Sequence, residues 1–433
     1  MSAPDSPPRI SPPARAGILR NITWLGVGNA AVKPLWFLFI THYCITTLGD
    51  DGYGVMNWAL YTMTIAAAFS DLGTTTYSIR EVARDRTQAS AFFSNLLAFR
   101  LGIGLALLGL VVLVGLLTAI PSPKLMALAA AGLYATGLIT VSYCRTFYRA
   151  FEVLRFEALS LIFEKVLVIG GGMALLLLSG TPQGTLLGLA GGMTLALAWN
   201  VGWVHRRFAP FRAGLLSLSF LRSKLRAALP LGLFGLFVVF YVRIGPVLLE
   251  AMQGEAAVGQ FSAAFRILEA LVMLPAIVSA AVLPRLSRLF KEGRARDFGR
   301  LVRLSTGGTF LAALAIAVPL AVFSEPVIGL LSGGRPEFAP SADLLGLMAW
   351  AYPLMSVNGL LSVVMMATDE QRYLAATLGI ISLVSLVANL LLIPHYAAFA
   401  LCYVLLASEV LILAALLTRY LRRLRPARSA SPH

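Results

Sequence analysis

The sequence predicts an all-α integral membrane protein with twelve transmembrane helices in two six-helix lobes, related by pseudo-two-fold symmetry around a central cavity. Three observations carry this reading. Of 433 residues, 58% are hydrophobic and 13% charged, about half the charged share of an average soluble domain. Mean hydropathy is +0.81, and the apolar residues come in blocks of about twenty or more, enough to cross roughly 30 Å of hydrocarbon as helices. Basic residues fall almost entirely in alternate connections between those blocks. A transmembrane barrel would instead alternate apolar and polar residues over segments of about ten.

Residues 1–20, rich in Pro and Ser with Arg9, Arg15 and Arg20, read as a disordered cytoplasmic tail that lacks a signal peptide's apolar core. Spans follow at 21–47, 54–79, 91–118, 124–146, 156–179 and 183–204, which make an N-lobe over 21–204. The connection 205–226 contains Pro210 and six bases and reads as a cytoplasmic linker between lobes. Spans at 228–249, 256–283, 301–323, 342–367, 373–394 and 396–418 make a C-lobe over 227–418, and 419–433 is a basic cytoplasmic tail. Alternation then places 28 Lys and Arg in loops on one side, against Lys124 and Arg335 on the other. The positive-inside rule assigns the rich side, and with it both termini, to the cytoplasm. The net charge of +15 is therefore topology and attraction to the lipid surface, not a nucleic-acid footprint. Cys44, Cys144 and Cys402 have neither pairing nor metal-ligand spacing, so no disulfide, metal or cofactor is expected.

The halves repeat each other weakly. An offset of 205 aligns Gly49 with Gly254, Gly54 with Gly259 and Arg80 with Arg285. It also lays the polar stripe Asn57, Tyr61 and Thr64 of the second span on Ser262, Arg266 and Glu269 of the eighth. Spacings of four and three keep each stripe on one helix face. Six helices per half make the repeats parallel, as in many secondary transporters.

Five bases fall well inside spans, away from their ends: Lys33, Arg100, Lys165, Arg243 and Arg266. Lys33 lies about 18 Å along its helix at about 1.5 Å per residue, near the midplane, with Arg243 and Arg266 at similar depth. A charge there costs at least about 2.5–3.5 kcal/mol, so it faces water or a partner. The interior acids are Glu164, Glu269 and Glu409, which leaves the interior cationic and asks for an anionic ligand. Blander readings stand beside this one. Arg266 and Glu269, three apart, can neutralise each other. Arg100 and Lys165 are shallower and can snorkel, while Glu164 and Lys165 point about 100° apart. Asp71, followed by Gly73, suits a cap or an inter-helix hydrogen bond. Glu409 is either a proton site or a counter-ion. Enzyme chemistry has little support, because the four histidines are scattered and no phosphate loop, metal helix or nucleophile elbow is present.

The runs Leu48-Gly49-Asp50-Asp51-Gly52-Tyr53-Gly54, Asp71-Leu72-Gly73 and Ser78-Ile79-Arg80-Glu81-Val82-Ala83-Arg84 resemble the Wzx-type O-antigen and polysaccharide flippases. Those belong to the polysaccharide transporter family of the multidrug/oligosaccharidyl-lipid/polysaccharide exporter superfamily. Pro284-Arg285-Leu286-Ser287-Arg288 fits more loosely. The resemblance implies movement of undecaprenyl-pyrophosphate-linked oligosaccharide between leaflets of a bacterial cytoplasmic membrane, by alternating access. In that picture Lys33, Arg243 and Arg266, with Arg100 as a fourth candidate, bind the pyrophosphate. Asn57 and Tyr61 face sugars, Glu269 and Glu409 couple an ion, and Pro34, Pro246 and Pro353 are bending points. A polysaccharide polymerase and glycosyltransferases are the implied protein partners. Two alternatives are a multidrug cation/proton antiporter of the same superfamily, whose cavity should be acidic, and a membrane-bound glycan ligase or polymerase, for which the outer loops are too short.

Overall fold

Gly49 marks the first turn of the chain back through the bilayer. The computed structural model describes residues 34–424, in which a π-helical turn, Phe39–Tyr43, leads into α1 (Cys44–Ala68). At Gly49 the backbone leaves the helix at φ +70°, ψ −176°, a conformation essentially reserved to glycine. Gly254 adopts φ +83°, ψ −176° between α7 (Leu218–Gln253) and α8 (Glu255–Leu271). The repeat read from residue types is thus present in the backbone at its two outer turns.

After α1 the chain breaks over 69–73, with Leu72 at φ +41° and Gly73 at φ +78°, and continues as α2 (Thr74–Arg84). The N-lobe is completed by α3 (Ala89–Leu117), α4 (Ser122–Ala150), α5 (Leu154–Ser179) and α6 (Pro182–Arg207). Beyond α7 and α8 come α9 (Met273–Lys291), α10 (Ala295–Val322) and the short α11 (Ser324–Ser332). They are followed by α12 (Ala339–Ala349), α13 (Ala351–Ala367), α14 (Gln371–Tyr396) and α15 (Ala398–Arg419). Among the described residues nine helices are long and apolar enough to cross a membrane, and a pair bent by 45° makes a tenth. The part of α1 before Gly49 falls in the first expected span, and the rest of α1 with α2 covers the second, which is consistent with the twelve-helix, two-lobe architecture. The helix expected to begin at 228 starts ten residues earlier, because Ser217 caps it by accepting from the Phe220 amide.

Two of the helix breaks have a proline cause. Pro353 has no N–H for the Ala349 carbonyl, and the 45° bend falls between Ala349 and Ala351. Pro275 likewise leaves the Leu271 carbonyl without its helical donor, and the Tyr352 hydroxyl supplies one at 3.1 Å. Helix α7 runs through Pro246 without interruption, so that candidate bending point does not break its helix in this conformation. Pro34 stands at the edge of the described residues.

The lobes meet where glycine lets backbones touch. A Cβ on Gly54 would lie 1.9 Å from the Glu255 carbonyl oxygen, and one on Gly259 would lie 2.0 Å from that of Asp50. Positions 54 and 259 are equivalents under the 205 offset, as are 50 and 255. Each lobe therefore presents the same contact to the other, which is the reciprocity a two-fold axis requires. Near this end of the seam, Lys124 of the N-lobe reaches Glu250 at 2.8 Å and Glu255 at 2.5 Å. Gln260 donates to the Asp50 carboxylate at 3.1 Å. Toward the end that carries the basic loops, Gly73 backs onto α7, where its Cβ would be 2.4 Å from the Gly232 nitrogen.

Candidate functional site

Midway between those two glycine contacts, α1 and α8 face each other through their polar stripes. The Tyr61 hydroxyl donates to Ser262 Oγ at 3.2 Å, and Arg266 Nη2 donates to Asn57 Oδ1 at 2.8 Å. These two bonds are again reciprocal, because 57 and 262 are equivalents and so are 61 and 266. The expected sugar-facing residues are buried in this conformation: Asn57 is 0% and Tyr61 2% exposed. They occupy the floor of the seam and not an open wall.

Charge gathers on the C-lobe side of this seam. Glu269, one turn beyond Arg266, accepts from Arg266 Nη1 at 2.9 Å and lies 2.7 Å from Arg243 Nη2 of α7. The internal pair of Arg266 and Glu269 is therefore present, and the Arg243 guanidinium joins it from a second helix. Two guanidiniums share one carboxylate, which leaves the cluster one positive charge in excess. Both also lie against the Tyr61 ring, 4.9 Å for Arg243 and 6.0 Å for Arg266 to its centroid, where the ring quadrupole attracts them. The side chains of Arg243, Arg266 and Glu269 keep 22, 13 and 23% exposure, so the cluster is not fully closed in this conformation. Among the described residues Arg243 Nη1 and Arg266 Nε, both buried, have no well-formed hydrogen bond, although the Tyr53 hydroxyl lies beside Arg266. Unsatisfied guanidinium donors beside an uncompensated charge are what an oxyanion would occupy. Lys33, the third deep base, lies outside the described residues.

Arg100 is not brought to this cluster. It is 0% exposed and its Nη2 bonds the Asp71 carboxylate, Thr74 at 2.6 Å and Thr75 at 2.8 Å, while Nη1 donates to the Ile139 carbonyl at 3.2 Å. Asp71 in turn caps α2 by accepting from the Thr75 amide at 3.0 Å. Both structural alternatives for Asp71, a cap and an inter-helix bond, thus hold together, and Arg100 pins the break between α1 and α2 in place of snorkelling. Asp71→Asn would leave Arg100 buried without its counter-charge. We expect about 2–3 kcal/mol of destabilisation, less than the roughly 3–5 of a fully buried pair because Asp71 is 36% exposed. Thermal unfolding in detergent checks this, and an unchanged Tm would refute the pinning role.

A second N-lobe network corrects the charge map. Arg145, counted above among loop bases, is buried and bonds Glu164, with Ser160 Oγ at 3.0 Å. Lys165 also reaches Glu164, at 3.0 Å, so the adjacent pair converges despite the 100° between its Cβ directions; the long lysine stem bends back along the helix. Lys165 Nζ lies 4.6 Å from the centroid of the Trp36 ring.

Glu409 sits on α15 at 4% exposure. It accepts from the Tyr241 hydroxyl at 3.1 Å and from Asn358 Nδ2 at 2.8 Å. Among the described residues no base lies within ion-pair distance of it, so the counter-ion alternative finds no arginine here.

Two reciprocally packed lobes of membrane-spanning helices with a polar seam define the class, a multi-pass helical membrane protein. The chain belongs to the polysaccharide biosynthesis protein family, whose profile matches residues 18–290. A second profile, MatE, matches residues 230–392. No curated protein matches the sequence. The fold is shared with the lipid II flippase MurJ in an inward closed conformation, at TM-score 0.72 and 14% identity, over 92% of this chain and 87% of that one. An inward-facing multidrug resistance MATE transporter of the MOP superfamily gives 0.67 and 17%, over 93% and 96%. A MOP superfamily transporter from Pyrococcus furiosus, described by the reverse polarity of its binding pocket, gives 0.65 and 14%, over 94% of each chain.

Proposed function

We propose that this protein is a flippase, a transporter and not an enzyme, that moves an undecaprenyl-pyrophosphate-linked oligosaccharide from the inner to the outer leaflet of a bacterial cytoplasmic membrane. Both termini lie in the cytoplasm in this reading, and the glycan serves O-antigen, capsule or exopolysaccharide synthesis beside a polymerase and glycosyltransferases. The observation that carries it is the 2:1 cluster of Arg243, Arg266 and Glu269 on the lobe seam, with two guanidinium donors unsatisfied. A pyrophosphate bearing several negative oxygens would take those donors in charge-assisted hydrogen bonds. Glu269 competes with the ligand for the same arginines, so a proton on Glu269 would free them. Lys33 is assigned to the anion by its depth along the first span. Asn57 and Tyr61 would meet sugars only once the seam opens, and lobe rocking about the two glycine contacts would alternate access. Arg100 is left out because it is fully buried and its charge is paired with Asp71 at the α1–α2 break. Glu409, held among the described residues by the neutral Tyr241 and Asn358, is the second candidate for ion coupling.

The same fold in a multidrug transporter, together with a buried carboxylate that lacks a cation, favours a cation/proton antiporter as the second reading. Transport in sealed proteoliposomes separates them. A pyrophosphate-linked polyprenyl oligosaccharide is expected to cross, accelerated by a proton gradient, and a cationic dye is not. Glu409→Gln should abolish the acceleration and leave downhill movement. Movement of the dye alone would overturn the flippase reading.

A further inference from the structure

Helix α10 opens with Arg296, Arg300 and Arg303, whose spacing of four and three stacks them on one face. Like charges at these spacings repel, and the positive end of the helix dipole opposes them further. All three are exposed, and among the described residues no carboxylate lies within ion-pair distance of any of them. The acids nearby are committed elsewhere: Asp297 holds Arg294 at 2.6 Å, and Glu292 is shared by Arg294 at 3.6 Å and Arg288 at 3.5 Å. The triad stands on the basic side that topology predicts, and it also lines a groove of 730 Å³ running between α10, α13 and α15, where three guanidiniums outnumber the one lining carboxylate, Asp297. Val357, Leu361 and Leu413 contribute to its apolar wall.

We propose that this groove binds one anionic glycerophospholipid from the leaflet at the basic end of the protein. The headgroup phosphate sits among the three guanidiniums and an acyl chain lies along the apolar wall. Basic clefts between helices at a membrane surface attract acidic headgroups in this way. The chain's own last residues are an unfavourable occupant, because Arg425 and Arg428 carry the same sign as the triad. Free phosphate would leave the apolar wall wet. The lipid occupies the C-lobe alone, away from the seam, so the inference stands whether or not the chain is a flippase.

Native mass spectrometry of the full chain, released from mild detergent, provides the test. Titration with dioleoyl phosphatidylglycerol is expected to show one site, at least about tenfold tighter than for dioleoyl phosphatidylcholine. The triple variant R296Q/R300Q/R303Q should bring the two lipids level, while R285Q/K291Q, which removes equally exposed bases outside the groove, should not. Leu417→Trp, at an exposed position of the same wall, fills the groove with the arginines intact and should weaken phosphatidylglycerol binding by a similar factor. Equal binding of both lipids by the parent, phosphatidylglycerol binding that survives the triple substitution, or its displacement by inorganic phosphate would each overturn the proposal.

Discussion

Arg266→Gln is expected to reduce glycolipid translocation by about 10- to 100-fold, with the protein still present in the membrane at the parental level. The residue offers a charge-assisted hydrogen bond worth about 1.5–3 kcal/mol to an anion, and its loss also removes one of the two cations that hold Glu269. Arg243→Gln should behave alike, since Arg243 is the other arm of the clamp. The double substitution would strand Glu269 on the seam, and its effect should exceed the product of the singles because all three groups form one network. Adding Glu269→Gln to the double variant should restore stability but not translocation, which separates a folding defect from a lost ligand site. Parental translocation by either single variant would remove the cluster from the mechanism.

Gly259→Val is expected to hold the lobes apart at the end of the seam opposite the basic loops. The new Cβ would fall 2.0 Å from a backbone oxygen, which no rotamer change relieves, so α8 must retreat from α1. Overpacking of this kind costs about 1–3 kcal/mol, or more where the neighbour is backbone, a shift of about 5- to 150-fold in the closed population. Gly54→Val should match it from the other lobe. The readout is a disulfide between Asp50→Cys and Gln260→Cys, placed where the two native side chains are hydrogen-bonded at 3.1 Å. Cys44, Cys144 and Cys402 are all buried and do not compete. Cross-linking should form readily in the parent background and fail with either valine. Cross-linking that persists would mean that the glycine crossing yields without opening the seam.

Much of this architecture is legible in the residues because bilayer thickness converts apolar length directly into crossings. The repeat was legible for a related reason: the two outer turns need a backbone only glycine adopts, so Gly49 and Gly254 stand out at equal offsets. Pro353 announced a bend that α12 and α13 show, whereas Pro246 left α7 intact, since surrounding helices decide whether a missing hydrogen bond becomes a kink. Partnership between charges was not legible. Depth along a helix placed Arg100, Arg243 and Arg266 correctly in the interior, yet which carboxylate each meets depends on helix neighbours that hydropathy does not order. Arg145 shows the same gap from the other side, counted with loop bases although α4 carries it into the lobe to meet Glu164. The Arg243–Glu269 pair had one available signal, their similar depth on consecutive spans.

The reciprocal seam also constrains stoichiometry. Positions 61 and 266 are mates under the repeat, and the Arg266 guanidinium lies 6.0 Å from the Tyr61 ring centroid, so these side chains stand close to the pseudo-two-fold axis itself. Two identical lobes meeting in this way would have to carry an arginine at both positions, or at neither. In the first case like charges would crowd the axis; in the second the seam would be neutral. Joining the lobes in one chain lifts that symmetry, letting one half contribute the tyrosine and the other the guanidiniums, so the proposed anion site needs only one copy where two separate subunits would be obliged to build a pair.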